Sequence, residues 1–175
     1  MSTQNESVDQ YLQRAREWSV VAHGEQKYGN NPFSYHLAMV VRNLRDVGIA
    51  DQELLAAGWM HDVAEDTSST CADIAAEFGS RAASLVWACT GVGRNRKEKE
   101  ASIFYRLRQE PDALVVKLAD RLANTADAKP GDNYWGMYKK EWSRWKEVLR
   151  PLTPRCRSQW HCNLLWEQLE ALLGK

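Results

Sequence analysis

An acidic segment near the middle of the chain has the residue types and spacing that metal chemistry requires. It reads WMHDVAEDTSST over residues 59–70, with His61 beside Asp62 and two further acids, Glu65 and Asp66, one helical turn later. Carboxylates that crowd together inside a fold have raised pKa values and destabilise the fold unless a cation compensates their charge. A divalent metal ion would remove this conflict, because it binds carboxylate oxygens and imidazole nitrogens together. The segment therefore predicts half of a metal site.

Two residues on other predicted helices complete the metal-ligand set. His36 follows a loop that contains glycine and proline, and Asp120 lies in the apolar segment VVKLADRLAN, where an unpaired aspartate would be costly. Taken alone, His36 fits a hydrogen-bonded histidine, and Asp120 fits an ion pair with Arg121 or with a neighbouring helix. With His61 and Asp62 they form a mixed nitrogen and oxygen ligand set that suits Mn, Fe or Zn and leaves positions for water and substrate oxygens.

The cysteines predict no second metal site. Cys71, Cys89, Cys156 and Cys162 have scattered spacings without a Cys-x-x-Cys pair. This pattern is typical of free thiols that pack as small core residues in a reducing compartment. Cys156, His161 and Cys162 lie close enough in sequence to suggest zinc, but a fourth ligand is missing, so we favour the structural role.

Length and charge limit the classes of function. The chain has 175 residues, which predicts a single domain over residues 1–175. Lys plus Arg number 23 and Asp plus Glu number 23, so no overall charge attracts nucleic acid or an anionic membrane. The N-terminal MSTQNESVDQ lacks the apolar core of a signal peptide, and no run of about 18 apolar residues occurs. We expect a cytoplasmic protein without a nucleic-acid or membrane partner.

The helical period dominates the chain and no stretch alternates as strands do, so we predict an all-α fold. A first helix should run from about Val8 to Gln26, before a loop at YGNNPFS. A second should carry HLAMVVRNLRDVG. Asp51 is the expected N-cap of a helix that continues through Asp66, and the TCAD segment at residues 70–73 resembles a capping box.

The second half of the chain predicts further helices around a basic loop. Ser80 should start a helix through Cys89, and TGVGRNRKEKE reads as a glycine-broken basic loop that leads into a charged helix. Pro111 fits the first position of a long buried helix that ends before a KPGDN turn. The C-terminal third reads as two amphipathic, tryptophan-rich helices split by RPLTPR. We divide the domain into a motif-bearing core of about 8–128 and a helical extension of about 134–173.

These motifs, in this order, resemble the HD-domain phosphohydrolases. HDVAEDT, IAAEFG, TGVGRNRKE and VVKLADRLAN are similar to the hydrolase domain of RelA/SpoT-type alarmone enzymes, especially the small alarmone hydrolases and the metazoan SpoT homologue. The resemblance runs from AREWSVVAHGEQKYG to about Asn124. It implies an HD fold that holds one Mn ion, with Zn, Fe or Co as alternatives. The ligands that it implies are His36, His61, Asp62 and Asp120.

The same resemblance implies roles around the metal. Glu65 and Asp66 would handle the attacking water, and Asn124 would lie near the substrate on the Asp120 face of its helix. The implied reaction removes pyrophosphate from the 3′ position of guanosine tetra- or pentaphosphate, or of an adenosine analogue. Because pyrophosphate is strongly anionic, cations must surround it. The candidate substrate contacts are Lys27, Tyr28, Arg94, Asn95, Arg96, Lys97, Lys117, Arg121 and Asn124.

Not all of these contacts are equally specific. For the basic residues of RNRKEK a solvated surface is an equally good explanation. Lys117 is better supported, because an ammonium group in an apolar helix needs a reason to be there.

One departure from the family keeps other functions open. The long alarmone enzymes carry a basic pair before the glycine of the first loop, whereas this chain has Tyr28 before Gly29. Tyr28 or Phe33 therefore either stacks on a base or serves only packing. The alternatives are another HD nucleotide phosphohydrolase, such as an NADPH phosphatase or a deoxynucleotidase, and a non-enzymatic HD module that binds a nucleotide or a protein. The eight tryptophans also leave a homo-oligomer open.

Overall fold

The computed structural model describes residues 7–128 and 131–174. Its first helix shows how capping groups set where a helix begins and ends. Helix α1 spans Val8–His23, and Ser7 caps it in a capping box with Gln10. It ends three residues before the predicted Gln26, because Gly24 takes a φ of 51°, which favours glycine and cannot continue a right-handed helix.

A short hairpin corrects the expectation that the chain has no strands. Strand β1, Lys27–Tyr28, pairs antiparallel with β2, Asn31–Pro32, around a turn in which Gly29 has a φ of 58°. Strands of two residues are too short to produce a visible alternation of polar and apolar residues. The hairpin leads directly into helix α2, Ser34–Asp46, which carries His36 near its start.

The helix that carries the acidic segment is interrupted, contrary to the prediction of one helix through Asp66. Asp51 is the N-cap of α3, Gln52–Met60, as expected. The chain then departs from regular helix at His61 and Asp62, where Asp62 has φ −99° and ψ −8°, before the single turn of α4, Val63–Asp66. Both side chains at this break reach towards α2, as the distances below show.

The remaining helices follow the predicted order. Thr70 and Asp73 form the expected capping box, and Pro111 opens a 3₁₀ turn, Pro111–Ala113, ahead of the long buried helix. The predicted KPGDN turn lies partly outside the described residues. The helices are α5, Cys71–Phe78; α6, Ser80–Cys89; α7, Arg96–Gln109; α8, Leu114–Asp127; α9, Asn133–Leu149; and α10, Gln159–Leu173, the last two joined by the 3₁₀ segment Arg150–Arg155.

Helix α2 lies against both α3 and α8, and this packing brings the predicted ligands together. Gly58 allows α3 to approach closely, because a Cβ atom there would lie 2.9 Å from Leu44 Cδ1 and 3.1 Å from Val41 Cγ2. Helix α10 packs on α8, and one continuous cluster of buried side chains includes residues of both. The all-α prediction is confirmed, while the division into core and extension stays a prediction.

No described helix combines the length and hydrophobicity that crossing a lipid bilayer requires.

Candidate active site

Four side chains from three segments of the chain converge on one point. His36 Nε2 lies 3.2 Å from His61 Nε2 and 3.5 Å from Asp62 Oδ2, while His61 Nε2 lies 3.1 Å from the same Asp62 oxygen. Asp120 Oδ1, from α8, lies 3.3 Å from His36 Nε2 and 3.6 Å from His61 Nε2. The imidazoles of His36 and His61 are buried, at 2% and 0% exposure, so their contacts with the carboxylates lie away from bulk water.

The orientation of the His61 ring is fixed from behind. Its Nδ1 lies 2.9 Å from the carbonyl oxygen of Gly58, which can only accept a hydrogen bond. Nδ1 therefore carries a proton, and Nε2 is the nitrogen turned towards His36 and the two aspartates. A carbonyl acceptor behind the ring is the usual arrangement for a histidine whose other nitrogen binds a metal.

The pKa values at this point reflect carboxylates packed around buried imidazoles. Burial lowers the pKa of His61, but the charges of Asp62 and Asp120 outweigh it and raise the pKa to about 10. Burial alone would raise the pKa of both aspartates, yet His61 beside Asp62 and Lys117 beside Asp120 hold both pKa values well below their usual range. The two carboxylates stay ionised and attract positive charge to the place where the side chains meet.

This donor set fits a divalent cation. Three potential ligand atoms, one from each of His36, His61 and Asp62, all lie within 4.8 Å of one another. Asp120 Oδ1 adds a fourth atom close to both imidazole nitrogens. Mixed imidazole and carboxylate donors suit first-row transition metals, and a cation would take over the charge compensation that protons on the imidazoles otherwise supply.

Asp120 is held by two of the predicted substrate contacts. Its Oδ2 lies 2.7 Å from Lys117 Nζ, and its Oδ1 accepts a hydrogen bond of 2.5 Å from Asn124 Nδ2. Asn124 in turn accepts from the hydroxyl of Tyr28 at 3.0 Å, and the Tyr28 ring stacks on His36 with 4.8 Å between centroids. Lys117, Asn124 and Tyr28 thus orient the ligand set as well as facing the cavity beside it.

The two predicted catalytic acids have different surroundings. Glu65 accepts a hydrogen bond of 2.6 Å from the backbone N–H of Gly91 and an ion-paired bond of 2.7 Å from Lys99 Nζ, so both of its oxygens are occupied. Asp66 accepts at Oδ2 from Gln26 Nε2, at 3.2 Å. Burial and the nearby charge of Asp62 raise the pKa of Asp66, which suits a group that accepts a proton.

A cavity of about 570 Å³ opens beside the converging donors. It contains most of the predicted site residues, including both catalytic candidates. Those that line it are Tyr28, His36, Asp62, Glu65, Asp66, Arg94, Asn95, Arg96, Lys117, Asp120, Arg121 and Asn124.

Two predicted contacts, Lys27 and Lys97, lie outside this cavity and are exposed. Lys27 precedes Tyr28 on a strand, where neighbouring side chains point to opposite faces. On α7 the cavity-lining residues Arg96, Lys99 and Ile103 repeat with the helical period, which turns Lys97 outwards. The sequence indicated the right segments in both cases, but not which side chain faces inwards.

Helix α9 contributes a wall of the cavity that the sequence analysis missed. Tyr138 and Trp145 line the cavity, and Glu141 lies between them in sequence. Glu141 binds Arg121 at 2.9 Å and also pairs with Arg96, while the Arg121 guanidinium lies 3.6 Å from the Trp145 ring centroid. An acid on the same helical stripe as two aromatics was the available signal, because such an acid needs a basic partner.

The thiols behave largely as predicted. All four cysteines are free, with Cys89, Cys156 and Cys162 buried and Cys71 partly buried. Within the described part of the chain, the residues whose potential ligand atoms all lie within 4.8 Å of one another are His36, His61 and Asp62, and this group does not include Cys156, His161 or Cys162.

Comparisons with known proteins relate the chain to nucleotide hydrolases. The guanosine-3′,5′-bis(diphosphate) 3′-pyrophosphohydrolase of Aquifex aeolicus is 35% identical over 119 residues, 65% of this chain and 17% of that protein. A probable enzyme of the same name from Synechocystis is 36% identical over 141 residues, 75% of this chain and 18% of that protein. The chain thus spans less than a fifth of the length of these curated relatives.

Solved structures share the fold. A metazoan ortholog of SpoT that hydrolyses ppGpp superimposes with a TM-score of 0.64 at 20% identity, covering 95% of this chain and 98% of that one. A crystal structure of a Listeria monocytogenes protein gives a TM-score of 0.54 at 25% identity, covering 80% and 94%. Residues 14–133 match the model of the HD domain, a module that binds divalent metals. Since this match covers more than half of an all-α chain, the protein belongs to the HD-domain family.

Proposed function

We propose that this chain is a metal-dependent hydrolase that removes pyrophosphate from the 3′ position of guanosine tetra- or pentaphosphate, or of an adenosine analogue. The observation that carries the proposal is the meeting of His36, His61, Asp62 and Asp120 beside Asp66, at the mouth of a cavity lined with cations. The names of the relatives from Aquifex and Synechocystis support the substrate class.

The proposed cofactor is one divalent cation, with Mn preferred and Zn, Fe or Co as alternatives. His36, His61, Asp62 and Asp120 would hold it through the atoms that face one another. When bound, the cation supplies a Lewis acid that polarises a phosphoryl oxygen and lowers the pKa of water. Lys117 and Asn124 keep the Asp120 carboxylate turned towards this point.

Asp66 is the residue proposed to direct the attacking water. Among the described residues Gln26 is the hydrogen-bond partner of its Oδ2, which leaves Oδ1 to accept from water. Its raised pKa suits a group that takes a proton as the phosphorus–oxygen bond to the nucleotide breaks. Glu65 acts with it by holding Lys99 and the Gly91 loop at the cavity.

The cations of the cavity are proposed to bind the phosphates while sharing carboxylate partners. Lys117 pairs with Asp120, Lys99 pairs with Glu65, and Arg121 pairs with Glu141. A guanidinium group has five N–H donors, so an arginine that binds one carboxylate keeps others for phosphate oxygens. Arg94, largely exposed, is proposed to contact the distal phosphate from the opposite rim.

The surroundings of Tyr28 favour a second candidate within the same chemistry. The Tyr28 hydroxyl is bound to Asn124, and Lys27 lies outside the cavity, so the first loop presents no basic pair to a guanine. Of the aromatic side chains that line the cavity besides Tyr28, only Tyr138 is half-buried rather than buried, and stacking on an aromatic ring does not discriminate between bases. An adenine alarmone or a 2′- or 3′-phosphorylated dinucleotide such as NADPH is the alternative substrate.

The test is pyrophosphate release by the purified chain from guanosine tetraphosphate with Mn present. The adenosine analogue, NADPH and a deoxynucleoside 5′-monophosphate form the comparison panel. We expect release from one of the alarmones, and none without metal. If NADPH were the only compound from which the chain releases phosphate, the dinucleotide would replace the alarmone as the proposed substrate. Binding of a nucleotide without any turnover would instead identify a non-enzymatic module. A cytoplasmic location belongs to the same proposal.

A further inference from the structure

A hydrogen-bond path leads from the buried His23 to the proposed catalytic acid. His23 Nδ1 lies 2.8 Å from Gln26 Oε1, and Gln26 Nε2 lies 3.2 Å from Asp66 Oδ2. The path joins the end of α1 to α4, and its bond between Gln26 and Asp66 spans 40 positions of sequence. It approaches Asp66 from outside the metal-ligand set.

The chemistry of the three groups fixes the direction of this path. The Asp66 carboxylate is ionised when it acts as a base and can then only accept, so the amino end of the Gln26 amide must face it. The carbonyl end of the amide therefore faces His23, whose Nδ1 must donate. A neutral His23 then carries its proton on Nδ1, and its Nε2 is buried with no hydrogen-bond partner among the described residues.

The segment around Gln26 is itself held firmly. The backbone N–H of Gln26 donates to the carbonyl of His23, and the Gln26 carbonyl accepts from the backbone N–H of Phe33, each at 3.0 Å. The rings of His23 and Phe33 stack with 4.3 Å between centroids. Two backbone hydrogen bonds therefore fix the position from which the Gln26 side chain extends towards Asp66.

We propose that Gln26 is a positioning residue for the hydrolysis, which holds Asp66 with one oxygen turned towards the attacking water, and that His23 fixes the orientation of the Gln26 amide. This inference rests on the role proposed for Asp66. An amide suits the task because it donates a hydrogen bond at every pH and adds no charge beside the phosphates.

The kinetic test uses Gln26→Met, which keeps the length of the side chain and removes both amide groups. For the alarmone that the wild type cleaves, we expect kcat to fall about tenfold, the worth of one hydrogen bond to a charged group, with KM within about twofold. His23→Phe keeps a ring against Phe33 and removes the donor, so we expect kcat to fall about threefold. The double variant should match Gln26→Met alone, because both changes act on one path.

Three results would overturn the inference. One is an unchanged kcat in Gln26→Met, with only the midpoint of thermal unfolding lowered, and another is full additivity of the two substitutions. The third does not depend on activity: the nitrogen-15 spectrum of the wild type should show His23 protonated on Nδ1, and a ring that carries its proton on Nε2 with none on Nδ1 would exclude the path even if no alarmone is cleaved. A wild type without activity but with Nδ1 protonated would count against the proposed function while leaving the hydrogen-bond path supported.

Discussion

The two sides of the cavity differ in which groups compensate the charges of their side chains. On one side, His36, His61, Asp62 and Asp120 point their donor atoms at one another, and Lys117 is the cation that reaches them from within the chain. On the other, the side chains of Arg96 and Arg121 share a single carboxylate on α9 and lie over aromatic rings.

This difference suggests a division of labour. The donor side suits an added cation, since its two carboxylates attract positive charge to the point where the side chains meet. On the arginine side one carboxylate of the chain serves two guanidinium groups, which leaves net positive charge for an anionic ligand. The donor side comes from residues inside the HD-domain match, 14–133, whereas Tyr138, Glu141 and Trp145 lie beyond it. We infer that the matched part carries the reaction and that α9 shapes what is bound.

The strongest way to break the comparison is to remove one donor. In Asp62→Ala the two imidazoles lose a carboxylate oxygen that lies 3.5 Å from His36 Nε2 and 3.1 Å from His61 Nε2, so we expect loss of bound metal and a fall in kcat of about a thousandfold or more. Metal content and pyrophosphate release measured on the same preparation check this. Asp46→Ala, an exposed aspartate at the end of α2, is the control and should change neither quantity. Retention of full activity by Asp62→Ala would remove the metal from the proposal.

Metal addition should stabilise the donor side specifically. Mn at a hundred times its dissociation constant should raise the free energy of unfolding of the metal-free wild type by about 2.7 kcal/mol, because only the folded chain gathers the ligands. Asp120→Asn should show a much smaller increase. The measurement is urea unfolding with and without Mn after treatment with a chelator. An equal increase in both proteins would place the cation elsewhere.

Loss of the carboxylate on the arginine side should lower stability without affecting metal. Burial raises the pKa of Glu141, but Arg96 and Arg121 outweigh it and hold the pKa below its usual 4.5. Glu141→Gln leaves a buried guanidinium without a charged partner, which we expect to cost about 2 kcal/mol at pH 7, with or without Mn. Glu147→Gln, exposed on the same helix, is the control.

The pH dependence of the same variant sharpens the test. Because the pKa of Glu141 is lowered in the folded chain, its contribution is complete above the usual value and is lost as the pH falls through the folded value. Wild type and Glu141→Gln should therefore have converging free energies of unfolding as the pH falls below about 4.5. A difference that stays constant down to the lowest pH at which the chain folds would contradict the ion-pair account.

The last test concerns the packing that brings the donors together. Gly58→Ala adds a Cβ atom against Leu44 and Val41, so we expect destabilisation of about 1–3 kcal/mol and weaker Mn binding, because His61 directly follows the end of the same helix. Gly136→Ala in α9 is the matched control: a Cβ there meets nothing within 4 Å, and alanine should stabilise the helix by about 0.5–1 kcal/mol. Equal changes in stability in the two variants would show that the space beside position 58 of α3 can accommodate a Cβ atom.

Much of the helical framework could be predicted because its signals are local. Ser7, Asp51 and Thr70 cap the helices that follow them, and a capping group acts over three or four residues that the sequence places side by side. The end of α1 and the hairpin after it were not predicted, because their local signals in the sequence are weak. The Gly24 turn and strands of two residues leave almost no periodic signal.

The cavity illustrates what local signals leave out. Lys97 and Lys99 stand in the same basic run, yet only Lys99 faces inwards, since the phase of α7 is set by how its apolar residues pack on α6. Glu141 could not be connected to Arg121 from the sequence, because the two approach only when α9 docks across α7 and α8. The path from His23 to Asp66 likewise exists only where α1 and α4 meet.

By itself, the sequence determined that the chain is helical and where most helices begin, and it predicted that four donors unsuited to an apolar interior share a cation. These follow from residue types and short spacings. Tertiary structure alone decided the helix break that turns His61 and Asp62 towards α2, the inward faces of α7 and α9, and the partners of each acid. Those depend on distances between segments far apart in the chain, which only the packing of the helices sets.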